Sequence, residues 1–413
     1  MNLLICDRVR HMVLIRLIFI GILIIIVVLL LLEERFKLKK YRKQIPLRIC
    51  VTGTRGKSSV TRLIAGSLRE AGIRVLAKTT GSKPMLVYPD GTESLIKRRG
   101  KPNILETKNI ITRAARLGID VLVTELMSIQ PECMYSESVQ MLDPSLLVVT
   151  NIRPDHQEQW GYSKTSLYRT FIRALPKRCA LFLPEEESAF FSVKPSDHPG
   201  LELKFIPQDL PEELTDRIHQ VMPLEFDQNI KLALAVAEYL GVEKEVALKG
   251  MAKALPDFGS LRAWESIPAD SGKKYISVSA FAANDPQSTQ MVINKIIDSG
   301  LKNGKKLVGI LNLREDRADR TLQWLREFRL GHIQGIDRLV LTGGHAAVFK
   351  RKLKSLGALE IEMVKEQDPE LFIRRILSRD KEGRSVLLGM GNMLGMGSVL
   401  VKYWEENGVG YDF

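Results

Sequence analysis

The chain opens with a long apolar run, which is followed by short apolar segments that alternate with amphipathic ones. Residues 17–32 read "LIFIGILIIIVVLLLL", and extending this run back to Met12 adds one charged residue, Arg16. As a helix, residues 12–32 would cover roughly 30 Å, about the thickness of a hydrocarbon layer. No A-x-A-like cleavage site follows. The pattern therefore predicts a retained transmembrane helix, with residues 1–34 as a membrane anchor rather than a signal peptide.

The segment after this anchor is strongly basic. From Arg35 to Arg48 every charged residue is Lys or Arg, so we expect residues 35–47 to form a basic juxtamembrane linker that contacts lipid. The positive-inside bias predicts a single-pass protein of the cell membrane whose domains after the anchor are cytoplasmic. The formal net charge is +13, yet no aromatic-interleaved basic platform or zinc-finger spacing occurs, and nucleic-acid binding is therefore the weakest interpretation.

Downstream of the basic segment, the pattern predicts strand, loop and helix in that order. Strand-like "RICVT" leads into a glycine-containing loop, and apolar residues then recur at helical spacing: Val60, Leu63, Ile64, Leu68 and Ala71. Two further apolar runs, "IDVLVTE" and "SLLVVTNI", end in polar residues, as buried parallel strands do when their carboxyl ends form a site. The polar stretch from Thr79 to Asn103 is interpreted as a substrate-facing loop.

A second alternating block begins at Tyr275. Its apolar runs are "YISVSAF", "KKLVGILNL", "IDRLVLTGG", "ALEIEMV" and "RSVLLGMG", separated by amphipathic segments of helical length. This alternation is typical of a second doubly wound α/β domain. Because "LPDFGSLRAW" contains Pro and Gly, we place the domain junction there, with a first α/β domain at residues 48–258 and a second, Rossmann-like domain at residues 259–413.

The glycine-containing loop carries the chemistry. Its glycines let backbone N–H groups approach phosphate oxygens, the following helix adds its N-terminal dipole, and Lys57 adds a positive charge. The predicted nucleotide-binding residues are Gly53, Thr54, Arg55, Gly56, Lys57, Ser58 and Ser59. Val51 stands where the full phosphate-loop spacing has glycine, so the general motif is matched in part. A glycine turn that only caps an amphipathic helix is the structural alternative.

This loop resembles the G-T-x-G-K-[ST] loop of the Mur-ligase superfamily of ATP-dependent amide ligases. Further marks of that superfamily follow in order: Glu125 after a strand, "NIRPDHQEQWG", Asn229 in "DQNIKLALA", and Arg262 in the domain junction. Longer segments resemble the ligase subunits of poly-γ-glutamate synthases of the PgsB/CapB type. They are "TRGKSSVTRL", "KTTGSKP", "IKRRGKPNILETK", "TELMSIQPE", "PDFGSLR", "FAANDPQST", "NLREDRADRT" and "GMGNMLG".

The resemblance implies a Mur-ligase-like ATPase domain, a second Rossmann-like domain, and ATP and Mg²⁺ as cofactors. It implies that Lys57 binds the β- and γ-phosphates, that Ser58 and Glu125 hold magnesium, and that His156 helps to hold a second ion. Asn229 would contact adenine, and Arg262 would reach the γ-phosphate. Taken alone, Glu125 could be a capping carboxylate and His156 a core histidine.

Two segments depart from the muropeptide ligases. Phe171 and its neighbours stand where those enzymes have a lysine that is modified to a carbamate, and "FAANDP" replaces their D-Y-A-H-N-P segment. We therefore expect Asn284 and Asp285 of "FAANDP" to serve nucleotide or amine recognition.

The predicted function is ATP-dependent amide ligation that builds poly-γ-glutamate. A glutamate carboxylate would be activated as an acyl phosphate and coupled to an amine. Arg314, Arg317 and Arg320 could clamp substrate carboxylates, although the interleaved Asp316 and Asp319 also allow a structural ion-pair cluster.

Two other functions share the phosphate loop with this prediction. One is a folylpolyglutamate-synthase-like or muropeptide-type ligase of a small substrate, and the other is a membrane-bound regulatory ATPase. The resemblance also implies two partners, a small multi-span membrane subunit and an extracytoplasmic subunit.

Overall fold

The computed structural model describes residues 2–81, 83–98, 100–128, 130–153, 164–173, 175–190, 198–207, 215, 217–218, 220, 222–257, 259–267, 274–353, 359–379 and 385–413. Of these, residues 2–11, 164, 189 and 190 are described by their backbone alone. Within these residues the chain forms one long N-terminal helix and two sheets covered by helices.

The first helix, α1, spans Asn2–Lys43. Its part from Met12 to Lys43 is long and apolar enough to cross a membrane, and its most apolar window is not buried. The expectation of an apolar N-terminal helix is thus confirmed, but the expected linker is helical up to Lys43. The helix continues because residues 33–45, between the apolar run and Pro46, contain no Gly or Pro. Glu33 also pairs with Lys37 one turn on, with 2.6 Å between the charged atoms.

The first sheet has eight strands in the order β4-β3-β2-β5-β1-β6-β7-β8. These strands are β1 Leu47–Thr52, β2 Val75–Thr79, β3 Met85–Val87, β4 Glu93–Leu95, β5 Val121–Glu125, β6 Leu146–Val149, β7 Arg178–Pro184 and β8 Gly200–Ile206. All pairs are parallel except those made by β3. The polar stretch expected to be a loop therefore contains an antiparallel hairpin at the sheet edge. Its two strands have three residues each, too few to show an alternating pattern in the sequence.

Helices cover both faces of this sheet. One face is covered by α2 Lys57–Glu70, α6 Asp227–Tyr239 and α7 Lys244–Ala252. The other is covered by α3 Glu106–Arg116, α4 Pro131–Tyr135 with the π-helical turn Ser136–Leu142, and α5 Lys164–Arg173. Phe171 of α5 is 2% exposed and belongs to this second core layer.

The second sheet has seven strands in the order β13-β12-β11-β14-β10-β9-β15. They are β9 Arg262–Ser266, β10 Tyr275–Ser279, β11 Lys306–Leu313, β12 Arg338–Gly343, β13 Glu360–Met363, β14 Ser385–Gly391 and β15 Gly408–Gly410. The five strands predicted from the apolar runs are parallel, whereas β9 and β15 add an antiparallel edge. The covering helices are α8 Pro286–Asp298, α9 Ala318–Arg329, α10 Ala346–Leu353, α11 Pro369–Leu377 and α12 Met396–Asn407.

The register of the first sheet places several strand ends at one edge. Val51 of β1 lies opposite Glu125 of β5 and Val148 of β6. The loop that follows β1 therefore starts beside the carboxyl ends of both neighbouring strands. In open α/β sheets this edge is where ligands bind.

Helices α2 and α7 approach each other closely at two glycines. A Cβ added to Gly66 would lie 2.5 Å from the Gly250 carbonyl oxygen, and one added to Gly250 would collide with the Gly66 carbonyl oxygen. Because α2 carries the residues that follow the glycine loop, this contact fixes the helix behind the site.

We expect Gly250→Ala to lower the free energy of unfolding by about 1–3 kcal/mol, because the helices must separate to admit the methyl group. Alanine normally stabilises a helix relative to glycine, so the close approach of the two helices reverses the usual effect of a Gly→Ala change on stability. The adjacent Lys249→Ala is the control, and at this exposed position the change should stay within about 0.5 kcal/mol. Denaturation of the detergent-solubilised chain measures both, and a gain in stability for Gly250→Ala would contradict the close packing.

Candidate nucleotide site

The loop after β1 has the backbone conformation of an anion-binding turn. Gly53 and Gly56 have φ angles of 126° and 80°, which favour glycine. A Cβ on Gly53 would collide with Thr150, and one on Gly56 would collide with Asn229. Both glycines are thus required for space as well as for conformation.

Lys57 is the first residue of α2, and its side chain folds back over the loop. Its Nζ donates to the carbonyl oxygens of Gly53 at 2.9 Å and Thr54 at 3.2 Å. Gly56, the residue before the helix, offers no side-chain cap to the first helical N–H groups. A positive charge, a helix N-terminus and uncapped N–H groups together favour a bound phosphate.

Ser58 and Glu125 bring two oxygen-bearing side chains together beside the loop. The Ser58 Oγ donates to Glu125 Oε2 at 2.7 Å, and the backbone N–H of Thr80 donates to the same carboxylate oxygen at 2.7 Å. Glu125 is buried. A hydroxyl and a carboxylate suit a magnesium ion that takes its remaining ligands from phosphate and water.

No group of three His, Cys, Asp or Glu side chains is placed to hold a metal within the described residues. His156, expected at a second magnesium ion, lies outside the described residues. The buried Phe171 gives no metal ligand where muropeptide ligases have their modified lysine.

A cavity of about 410 Å³ adjoins the loop between the two sheets. We call the first sheet with its helices the first lobe, and the second sheet with its helices the second lobe. Asn229 and Arg55 line the cavity from the first lobe, and Ala283 and Met291 line it from the second. Its volume is typical of sites for small organic ligands. The cavity thus places the expected adenine contact, Asn229, next to the phosphate loop.

Glu225 is a residue of this cavity that the sequence did not indicate. Its Oε1 accepts from Asn229 Nδ2 at 2.7 Å and from the Phe226 N–H at 3.0 Å. Burial raises the pKa of Glu225, although hydrogen bonds from Asn229, Phe226 and Ser59 act in the opposite direction. Because the Asn229 amide nitrogen is held by this carboxylate, its Oδ1 is turned toward the loop, where it lies against Gly56. Glu225 stands in an irregular segment, where no local pattern marks a functional carboxylate.

The phosphate loop is joined to the second lobe by Arg55. Its Nε lies 2.9 Å from Asp285 Oδ2, and its guanidinium also donates to Asn284 Oδ1. Asp285 caps α8 by accepting from the Ser288 N–H at 2.9 Å. Burial alone would raise the pKa of Asp285, but the Arg55 charge and the Ser288 donors bring this pKa below its ordinary value. Asn284 and Asp285 thus lie at the glycine loop, where they bind Arg55, and their role in nucleotide or amine recognition stays a prediction.

The predicted arginines are spread over several positions. Arg262 pairs with Glu405 and lies over the Trp264 ring, 5.2 Å from its centroid. Arg320 is buried and donates to the backbone and side-chain oxygens of Asn284, so it supports the same junction as Arg55.

The other two arginines lie near the start of α9. Arg314 Nε donates to Asp316 Oδ1 at 2.8 Å, the ion-pair arrangement that the interleaved acids allowed. Arg317 is the residue immediately before α9.

Two doubly wound α/β lobes meet at the glycine loop, the Ser58–Glu125 pair and the cavity, and comparison with known proteins gives the class of protein that has this arrangement, the Mur ligases. Residues 51–168 match the Mur ligase middle domain, and residues 265–407 match the poly-gamma-glutamate synthase CapB C-terminal domain. The expected superfamily and fold are thereby confirmed.

Sequence relatives give the narrower assignment. The capsule biosynthesis protein CapB of Bacillus anthracis is 33% identical over 317 residues, covering 76% of this chain and 67% of the relative. The PGA synthase CapB of Bacillus subtilis (strain 168) is 29% identical over 383 residues, covering 90% and 94%. The chain belongs to the CapB family of Mur-type, ATP-dependent amide ligases.

Solved structures show the same fold at low sequence identity. FolC of E. coli in complex with DHPP and ADP aligns with a TM-score of 0.63 at 14% identity, covering 90% of this chain and 92% of FolC. MurF from Acinetobacter baumannii aligns with a TM-score of 0.59 at 14% identity, covering 89% and 79%.

The Arg55–Asp285 pair should show strong energetic coupling. We expect Arg55→Ala and Asp285→Asn to couple by about 1–3 kcal/mol in a double-mutant cycle of unfolding, because the first change leaves the buried Asp285 without its charge pair and the second does the same to the partly buried Arg55. Asparagine retains an oxygen for the Ser288 N–H, so the helix cap is kept.

The exposed Arg74–Asp120 pair, at 3.0 Å in the first lobe, is the matched control. Its coupling should stay below about 1 kcal/mol. Equal coupling in the two pairs would contradict the role given to Arg55.

Proposed function

We propose that the chain is the ligase of poly-γ-glutamate synthesis, which extends a glutamate chain at the expense of ATP. The observation that carries this proposal is the Ser58–Glu125 pair beside the glycine loop, at the sheet edge that the second lobe covers. A carboxylate and an amine form a salt rather than an amide at neutral pH, so the carboxylate needs a leaving group. In the proposed reaction a substrate carboxylate oxygen bonds to the γ-phosphorus of ATP, and ADP leaves.

In the second step the incoming amine attacks the carbonyl carbon of the acyl phosphate. The C–O bond to phosphate breaks, inorganic phosphate leaves and the amine nitrogen loses a proton. Lys57 binds the β- and γ-phosphates in this proposal, and to do so exchanges the carbonyl oxygens of Gly53 and Thr54 for phosphate oxygens. Lys57 and the glycine loop would position the phosphates and neutralise their charge, which is the main requirement in phosphoryl transfer.

Ser58 and Glu125 are the proposed ligands of a magnesium ion, which would neutralise charge on the transferred phosphoryl group. The hydrogen bond from Thr80 holds the Glu125 carboxylate in place for that role. Solved relatives of the same fold support a nucleotide and a divalent ion, since a Yersinia pestis folylpolyglutamate synthase is described in complex with AMPPNP and Mn. A further role for His156 at a second ion stays a prediction.

Asn229 is the proposed adenine contact, with Glu225 holding its amide. Arg262 is proposed to reach the γ-phosphate after it leaves Glu405. For the substrate, Arg314 and Arg317 near the start of α9 are the proposed carboxylate contacts. Arg320 is buried against Asn284, which also binds Arg55. Its proposed role is therefore to hold the contact between the two lobes at Arg55.

The membrane topology is also part of the proposal. Helix α1 would cross the bilayer once, with the basic side chains from Arg35 onward on the cytoplasmic side, where ATP is available. A single apolar helix cannot form a pore for a polyanion. We therefore propose partners that export the polymer, a small multi-span membrane subunit and an extracytoplasmic subunit.

Lys57→Ala should lower polymer formation by at least about 100-fold, because preorganised charge contributes this much to transition-state stabilisation. The assay supplies membranes that contain the full synthase with ATP, Mg²⁺ and labelled glutamate, and measures acid-precipitable polymer that resists α-peptide proteases. Lys253→Ala is the matched control, since this exposed lysine pairs with Glu70 away from the loop.

Wild-type polymer formation by Lys57→Ala would contradict the loop assignment. ATP turnover that is independent of glutamate would instead favour a regulatory ATPase.

A further inference from the structure

Helix α1 packs against the first lobe and continues into contact with it. Glu34 Oε1 lies 2.6 Å from Lys108 Nζ on α3, and Leu38 and Tyr41 pack against the core layer that contains α3. At the end of the helix, Arg42 donates to the backbone of Gln140 at 3.1 Å. The lobe therefore has a defined orientation relative to the helix axis.

The contact between Glu34 and Lys108 gives the depth of the lobe relative to the bilayer. The apolar run ends at Leu32, so Glu34 is roughly 3 Å further along the helix. The polar headgroup layer extends roughly 5–7 Å beyond the hydrocarbon on each side. If α1 crosses the membrane as proposed, Lys108 and the start of α3 lie at headgroup depth.

A basic loop adjoins the start of α3 at this depth. The loop consists of residues 97, 98 and 100–105, and it is held at α3 because Arg98 Nε lies 2.8 Å from Glu106 Oε2. Lys97 and Lys101 are exposed. Leu105, which is 48% exposed, stands three residues before Lys108. Leu105 is the residue before α3 and already has helical backbone angles, so its spacing of three from Lys108 places it on the side of α3 that contacts α1.

We propose that this basic loop docks on the anionic lipid headgroups of the leaflet that α1 leaves, with Leu105 at the apolar boundary. This inference rests on the proposed membrane insertion of α1. Exposed lysines attract an anionic lipid surface, and an exposed leucine among them adds apolar contact. The loop is thus a second membrane attachment, made by the folded lobe itself.

The docked loop lies close to the proposed magnesium ligands. Arg98 Nη2 is 3.4 Å from the sulfur of Met127, which stands two residues after Glu125. Lipid contact at the loop therefore holds the catalytic edge of the first sheet at the membrane surface. A polymer grown at this edge starts its path next to the bilayer that it has to cross.

Hydrogen exchange of the full-length protein in lipid nanodiscs tests this docking. We expect backbone amides in the peptide covering residues 97–105 to exchange roughly tenfold more slowly in discs with phosphatidylglycerol than in discs of phosphatidylcholine alone. The double variant Lys97→Gln, Lys101→Gln should lose this difference. The matched control is Arg351→Gln, Lys352→Gln, which removes the same charge from exposed positions at α10 in the second lobe and should keep the difference.

Equal exchange in the two kinds of disc would overturn the docking. Protection that requires added poly-γ-glutamate in phosphatidylcholine discs would also overturn it, because the polymer would then be the occupant of the loop. Carbonate extraction of the same protein from vesicles tests the insertion of α1 separately from the docking of the loop. A chain that stays in the membrane with an unprotected loop contradicts only the docking, whereas an extracted chain contradicts the anchor as well.

Discussion

The contact between Arg55 and Asp285 is the constraint on which the nucleotide site depends. Arg55 belongs to the phosphate loop of the first lobe, and Asp285 caps the first helix after β10 in the second. Because a buried charge is costly unless it is paired, this contact fixes the distance between the loop and the second lobe. The two lobes meet at this contact, and the cavity beside Asn229 lies between them. In the proposed reaction, the same junction brings the second lobe to the γ-phosphate.

The parts of this site that sequence reasoning found are those with a local pattern. The strand, loop and helix pattern predicted the glycine loop, and the resemblance to the Mur-ligase superfamily implied that Ser58 and Glu125 act together beside it. The structure brings these two side chains together at 2.7 Å. Arg55 and Asp285 were both predicted as site residues, but they are 230 positions apart and no local pattern predicted their contact. The roles of the site residues in catalysis remain proposals.

Local patterns also explain which elements were misjudged. The strands of residues 85–87 and 93–95 are short and lie among Gly, Pro and polar residues, so propensity favoured a loop. The basic segment after Glu34 looked like a linker because its charges indicate contact with the lipid surface, yet Leu38 and Tyr41 recur on one helix face and pack on the core. The segment is therefore part of a continuous helix, and its packing fixes the orientation of the first lobe. Under the proposed topology this orientation, rather than the net charge, determines which surface meets the membrane.

The most direct test of the central claim is the fate of a carboxylate oxygen. If the loop holds ATP by its β- and γ-phosphates and presents the γ-phosphorus to the substrate, ¹⁸O placed in the glutamate carboxylate must appear in inorganic phosphate as each amide forms, with ADP as the other product. Mass spectrometry of the released phosphate and nucleotide measures this. Label in AMP, with release of pyrophosphate, would contradict the proposed mechanism and the roles given to Lys57, Ser58 and Glu125.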